Sequence, residues 1–441
     1  LTGENEQGVT HKWHLVLMIL KSFLGSAVLY LPRFFASGGL VLAGVSLGIL
    51  GAVCTVCMRR LVDCAEALVD GRAQAFARSR EAAPLAVPRS GRVPSYGDVG
   101  EAAAGPWGRA LVDSALASSQ LGFCATYFVF VAVNMQEAVE TLGSCRISVA
   151  RTTIFALLLL AWVPLSWVRR LKYFALVSIA ADVLIMLGLA AILACVGGRL
   201  VHGPVQTPLH LVKLDTYVLS LGIAIYTFEG IGLILPMYEG TDATLRPQFK
   251  SVLTWTLVGV TVFFTLFAAL AYHAFGDRTH AIVLLDLPDG SALKVAAQLL
   301  YCTALVLSFP LVLYPASITV EAAAEARLGQ ASRGAGGAGG VAIRSALVAL
   351  ALLVAAQGAA RLDKLVSVIG AATCTPLAVI YPAALHHRLI GNRPVTDAVL
   401  VAVGLGLMAF SSGAAYASWR WASAPPPPRP CLAVWWGGWY P

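Results

Sequence analysis

Charge is scarce in this sequence. Of its 441 residues only 12% are Asp, Glu, Lys or Arg, about half the share of a soluble domain, whereas 58% are hydrophobic and the mean hydropathy is +0.76. A soluble globular body is thereby excluded. The net charge of +8 has no cationic patch with interleaved aromatics behind it, so nucleic acid is not expected as a partner. His273, His280, His386 and His387 share no metal-ligand spacing, nucleophile motif or phosphate loop. They read as interfacial histidines, and neither an enzyme, a metal nor a cofactor is expected. The nine cysteines fall mostly within apolar runs, and the Cys54–Cys57 pair has no second pair with which to bind zinc. Cys145 and Cys195 fall near one side of the predicted membrane, which permits a disulfide without fixing its geometry. No cleavable signal peptide is visible in residues 1–12, which leaves room for a targeting region upstream of Leu1, and no N-x-[ST] acceptor is present in these 441 residues.

What the chain has in abundance is long apolar runs, the signature of membrane-spanning helices. Eleven spans are predicted, near 13–36, 39–58, 107–136, 151–168, 172–196, 216–238, 249–275, 292–322, 341–360, 362–388 and 395–417. The expected fold is all-α, because lipid leaves backbone groups to be satisfied within helices. With the N-terminus cytoplasmic, nineteen of the 31 Lys and Arg residues lie on the inside and eleven on the opposite side, with Lys21 inside span one. This bias favours that orientation. Residues 1–12 read as a polar cytoplasmic segment, 13–417 as the transmembrane domain and 59–94 as a disordered cytoplasmic loop within it. Before span three, SYGDVGEAAAGPWGRALVD allows a short surface helix. The proline- and tryptophan-rich tail, 418–441, stands apart in composition, and no function is attached to it.

Two spans are interrupted in the same way. Span one contains SFLGSAVLYLP (22–32) and span six TFEGIGLILP (227–236). Each has Phe-x-Gly, then an apolar run ending in Leu-Pro. The two sites open successive five-span blocks, 1–5 and 6–10. Glycine-bearing, interrupted helices at corresponding positions of two repeats are a sequence pointer to a transporter binding site near the bilayer midplane. Backbone N–H groups freed at the start of a half-helix attract a carboxylate, and freed carbonyls receive an ammonium, a combination that suits a zwitterionic α-amino acid. Gly230 and Gly232 let the backbone leave the helix and a ligand approach closely. Glu229 then borders a polar cavity, where it caps freed N–H groups or carries a proton. Helix packing is the competing role for such glycines.

KSFLGSAVLYLPRFFASGG (21–39), GFCATYFVFVAVNMQ in span three, YTFEGIGLILPMYEGTDATLRPQF from Tyr226, and LSFPLVLYPA (307–316) resemble the amino acid/auxin permease family over about residues 10–417. Phe228-Glu229-Gly230 is the most specific match and points to its proton-coupled and vacuolar amino acid transporter branch. The resemblance implies a LeuT-like fold of about eleven transmembrane helices with five-plus-five inverted repeats and broken first and sixth helices. It also implies secondary transport of amino acids at vacuolar, lysosomal-type or plasma membranes. Carried over by position, Gly25, Ser26 and Ala27 bind the substrate carboxylate, Thr227 and Phe228 receive its amino group, and Tyr127 covers it. Gly230 and Gly232 complete the substrate site, and Glu229 is the proton-coupling candidate. Thr303 and Ser308 of span eight keep sodium coupling open. The 59–94 loop and the tail depart from the family pattern. Small neutral amino acids are the expected substrates, moved with protons toward the cytoplasm; an amino acid sensor is the alternative. Gly25→Val is expected to abolish amino acid binding, and normal affinity in that variant would remove span one from the site.

Overall fold

The computed structural model describes residues 11–71, 93–143, 146, 148–168, 174–202, 209–288, 291–328 and 338–421. These residues form helices joined by turns, with no β-strand among them. The chain opens with α1 (Lys12–Phe23), a 3-10 turn (Ser26–Tyr30) and α2 (Leu31–Gly38), followed by α3 (Leu40–Val69), α4 (Tyr96–Leu142), α5 (Arg151–Ser166) and α6 (Phe174–His202). After these come α7 (Tyr217–Thr227), α8 (Ile231–Glu239), α9 (Arg246–Phe275), α10 (Ala292–Leu328), α11 (Ala338–Gly358) and α12 (Leu362–Ile369). Two π-helical turns (Gly370–Cys374 and Pro376–Ile380) then lead into α13 (Tyr381–Leu389), and α14 (Pro394–Trp421) follows.

Nine spans among the described residues are long and apolar enough to cross a membrane, and the bent pair Lys12–Phe23 with Ser26–Gly38 makes a tenth. The expected fourth span is α5, an apolar helix of only 16 residues. Length therefore supports ten of the eleven expected spans. The loop expected over 59–94 begins later than the sequence suggested, because α3 continues as a helix to Val69. This extension is stabilised by Lys250, which binds Asp63 at 2.7 Å and Glu66 at 2.6 Å. Residues 72–92, the first ten residues, Cys145 and residues 422–441 lie outside the described residues. Cys195 is a free thiol. The short helix expected before span three is present, set off from the rest of α4 by a kink at Ala104–Gly105 ahead of Pro106. It is anchored rather than superficial, with Tyr96 and Val99 buried.

The chain divides into two compact units. One comprises residues 1–119, 207–278 and 367–413; the other comprises 120–206, 279–366 and 414–441. In the first unit small residues allow close helix approach, the usual means of packing where lipid removes the hydrophobic drive between helices. Gly222 of α7 leaves no room for a side chain against the Ser367 carbonyl, nor does Gly370 against the Gly222 carbonyl. The Ser367 hydroxyl donates to the Leu219 carbonyl. Pro376 supplies no N–H to the helix that contains it, and the chain passes through π-helical turns there. In the second unit Trp162 stacks on Phe309 at 3.9 Å, meets Phe128 edge-on at 4.5 Å, and donates its indole N–H to the Val306 carbonyl. Gly188 of α6 accommodates the Tyr301 ring of α10.

A strap over residues 209–216 joins the two interrupted segments of the first unit. Leu40 and Val41 donate their N–H groups to the His210 and Leu211 carbonyls, each at 2.9 Å, and Lys213 N–H donates to the Gly38 carbonyl at 2.9 Å. Asp277 fastens it through Tyr272 Oη at 2.7 Å and Lys213 Nζ at 3.0 Å. Gly39 makes the tight passage beneath the strap, with φ +79° and the Leu211 carbonyl 2.8 Å from where a Cβ would lie. Gly39→Ala is therefore expected to destabilise the protein by at least about 1–2 kcal/mol, read as a lowered midpoint of thermal unfolding in detergent. An unchanged midpoint would show that the turn can relax at no cost.

Candidate substrate-binding site

Two glycine-bearing breaks meet inside the first unit. α1 ends at Phe23, Leu24 leaves the helical region, and Gly25 takes φ −121° and ψ −156° before the 3-10 turn begins at Ser26. α7 ends at Thr227; Phe228 and Gly230 depart from helical geometry, and α8 starts at Ile231. Each start leaves helix N–H groups without an intrahelical acceptor. The breaks touch in three places. Thr227 Oγ1 lies 3.5 Å from the Ala27 carbonyl while donating to the Ile223 carbonyl at 2.9 Å. Tyr30 and Tyr226 meet edge to face at 5.9 Å. Gly230 rests on the Phe23 ring.

The glycines divide by role. A methyl group at Gly25 would meet no atom within 4 Å, so its backbone faces open space. At Gly230 a methyl would lie 2.7 Å from the Phe23 ring, and at Gly232 it would lie 2.9 Å from Leu116. The close approach that the sequence assigned to a ligand at these two positions is taken by protein side chains, and only Gly25 has free space in front of it. Ser26, Thr227 and Phe228 are buried beside the breaks, and Ala27 is half-buried. Tyr127, Thr303 and Ser308 belong to the second unit. There Tyr127 and Ser308 are half-buried, and Thr303 is exposed on α10.

Glu229 sits between the two halves of the broken sixth span. Both carboxylate oxygens are buried, and neither has a hydrogen-bond partner. Capping of freed N–H groups, one of the two roles open to it from sequence, is not seen. Its polar neighbours are the Cys374 and Cys54 thiols and the Tyr96 phenol, and Tyr96 Oη already donates to the Leu377 carbonyl at 2.8 Å. Cys54, Tyr96 and Cys374 were not marked as site residues by any motif. Only the folding of α3, α4 and the π-helical turns around the break brings them to Glu229. Among the described residues no group of three or more His, Cys, Asp or Glu side chains forms a metal site.

The helical spans and the paired breaks define a polytopic integral membrane protein of LeuT-like fold. The solved structure of MhsT in complex with L-phenylalanine shares that fold, with a TM-score of 0.50 at 11% identity over 94% of this chain and 98% of the other. The chain belongs to the transmembrane amino acid transporter protein family, whose model matches residues 8–417. This bears out the family resemblance read from the sequence. Vacuolar amino acid transporter 3 of Schizosaccharomyces pombe is 31% identical over 90% of this chain and 57% of its own length. Vacuolar amino acid transporter 4 of Saccharomyces cerevisiae is 30% identical over 92% of this chain and 58% of its own length. The chain thus spans a little over half the length of these curated relatives.

The contact between Gly230 and Phe23 yields a paired test. Gly230→Ala is expected to cost about 1–3 kcal/mol, as overpacking does in a filled interior, and Phe23→Leu in the same molecule should restore part of that loss. Additive effects of the two substitutions, measured by thermal unfolding, would show that the methyl and the ring do not compete for the same space.

Proposed function

We propose that this chain carries out secondary active transport of small neutral amino acids, coupled to protons and directed toward the cytoplasm across a vacuolar or lysosomal-type membrane. The observation that carries the reading is the buried, unpartnered carboxyl of Glu229 at the meeting of two interrupted helices. Burying an ionised carboxylate without a partner costs several kcal/mol, so the group is suited to hold a proton while the break is closed around it and to release it when water enters. The freed N–H groups next to Gly25 supply a place for a substrate carboxylate, and the carbonyls at the end of α7 supply one for its ammonium group. No fixed charge of the break pairs with a charged substrate side chain once Glu229 is protonated, which favours neutral substrates. The vacuolar names of the yeast relatives support the membrane, and the excess of Lys and Arg on one side supports a cytoplasmic N-terminus.

Uptake of a labelled amino acid panel by proteoliposomes in sodium-free buffer, with and without a pH gradient, tests this function. Accumulation of small neutral amino acids driven by the gradient is expected. Uptake that requires sodium would move the coupling to Thr303 and Ser308, and saturable binding without uptake would make the protein a sensor. Glu229→Gln is expected to lose gradient-driven accumulation while retaining exchange at equal pH. An unchanged pH profile in that variant would leave Glu229 a structural residue.

A further inference from the structure

A second buried titratable cluster lies in the first unit, apart from the break. Arg60 of α3, His386 of α13 and Asp397 of α14 converge there with side-chain exposures of 6%, 1% and 0%. Arg60 Nη1 lies 3.0 Å from His386 Nε2. His386 Nδ1 lies 2.6 Å from Asp397 Oδ2, and Arg60 Nε lies 3.4 Å from Asp397 Oδ1. Local structure explains the meeting. Gly391, with φ +65°, ends α13 with its N–H on the His386 carbonyl and turns the chain. Asp397 then returns in the first turn of α14, where a negative charge complements the helix dipole. The sequence suggested an interfacial histidine at 386; the fold buries it.

The geometry dictates the protonation pattern. A guanidinium has only donors, so the Nε2 atom facing it must accept. The imidazole is then neutral, with its proton on Nδ1 and donated to Asp397. Arg60 and Asp397 balance each other's charge across it. A proton added at Nε2 would set donor against donor and cation against cation, and the Arg60–His386 contact would have to part. The other charged group facing the imidazole is Asp63 of α3; on its own helix, His387 and Arg388 turn to the exposed side. One added proton would thus break the pairing seen here, which is what a switch requires.

We propose that Arg60, His386 and Asp397 form a proton-responsive lock that holds α3 against α13 and α14 while His386 is neutral and releases α3 when His386 is protonated. The lock is a titratable site separate from Glu229, and its test does not depend on measuring transport. Cys57 reports on it: the thiol is buried on α3, one turn before Arg60, and donates to the Val379 carbonyl of the π-helical turn that leads into α13.

The experiment compares alkylation of Cys57, resolved by tandem mass spectrometry, in the purified full chain and in His386→Gln. Glutamine can accept from Arg60 and donate to Asp397 but does not titrate. Comparing the two proteins at each pH cancels the intrinsic pH dependence of thiol chemistry. The ratio of rates, parent over variant, is expected to rise several-fold between about pH 8 and about pH 5, the interval in which histidine changes charge. A constant ratio would overturn the lock and leave a static structural cluster. Should the variant fail to fold, nitrogen-15 histidine spectra of the parent protein decide. A resonance with the proton on Nδ1 near pH 8 that becomes doubly protonated toward pH 5 is expected. The absence of such a resonance, or of its titration, would overturn the proposal.

Discussion

Lipid cannot hydrogen-bond a peptide group, and this constraint shapes everything else in the molecule. A membrane helix can be interrupted only where protein or a polar cavity receives the backbone groups it frees. The interruption at Gly25 and the one after Thr227 meet this condition by being placed against each other in one unit, with Thr227, Tyr226 and Gly230 of one break touching Ala27, Tyr30 and Phe23 of the other. The strap over 209–216 extends the same principle. Its carbonyls take the N–H groups at the start of α3, and its own N–H group at Lys213 finds the Gly38 carbonyl. The two broken segments are thus tied by main-chain bonds as well as by side chains.

The constraint applies with greater force to charge. Most buried ionic groups in the described structure are paired: Arg344 with Glu321, Lys294 with Glu137, Arg60 with Asp397. Each pair joins two different helices, and each would be costly to break from one side. Glu229 stands out against this pattern, because its carboxyl is buried without a hydrogen-bond partner. A group left in that condition stores an opportunity for chemistry that a satisfied pair does not. The neighbours that do face it, two thiols and a phenol, are weak partners for a carboxylate and adequate ones for a neutral acid.

Glycine carries opposite meanings in this fold. Gly222 and Gly370 bring two helices into backbone contact, and Gly230 and Gly232 make room for Phe23 and Leu116. Gly25 does neither; its free face is what a ligand would use. All these residues look alike in a string of letters, since the glycine specifies only that a side chain is missing and not what fills the gap.

The sequence by itself determined the membrane class, the approximate spans, the two interruptions and the family, because hydropathy, helix breakers and a motif such as Phe228-Glu229-Gly230 are local signals. It also singled out Glu229, because a charged residue in an apolar run is conspicuous wherever it occurs. Only the tertiary structure decided that α3 continues to Val69, since the ion pairs of Asp63 and Glu66 are made with Lys250, which is 187 and 184 residues away in the chain. Only tertiary structure set Cys54, Tyr96 and Cys374 around Glu229, sent Gly230 and Gly232 to packing, and turned an apparently interfacial His386 into the centre of a buried cluster. These outcomes depend on contacts between residues far apart in the chain, and no local pattern of residues encodes which distant side chain will arrive.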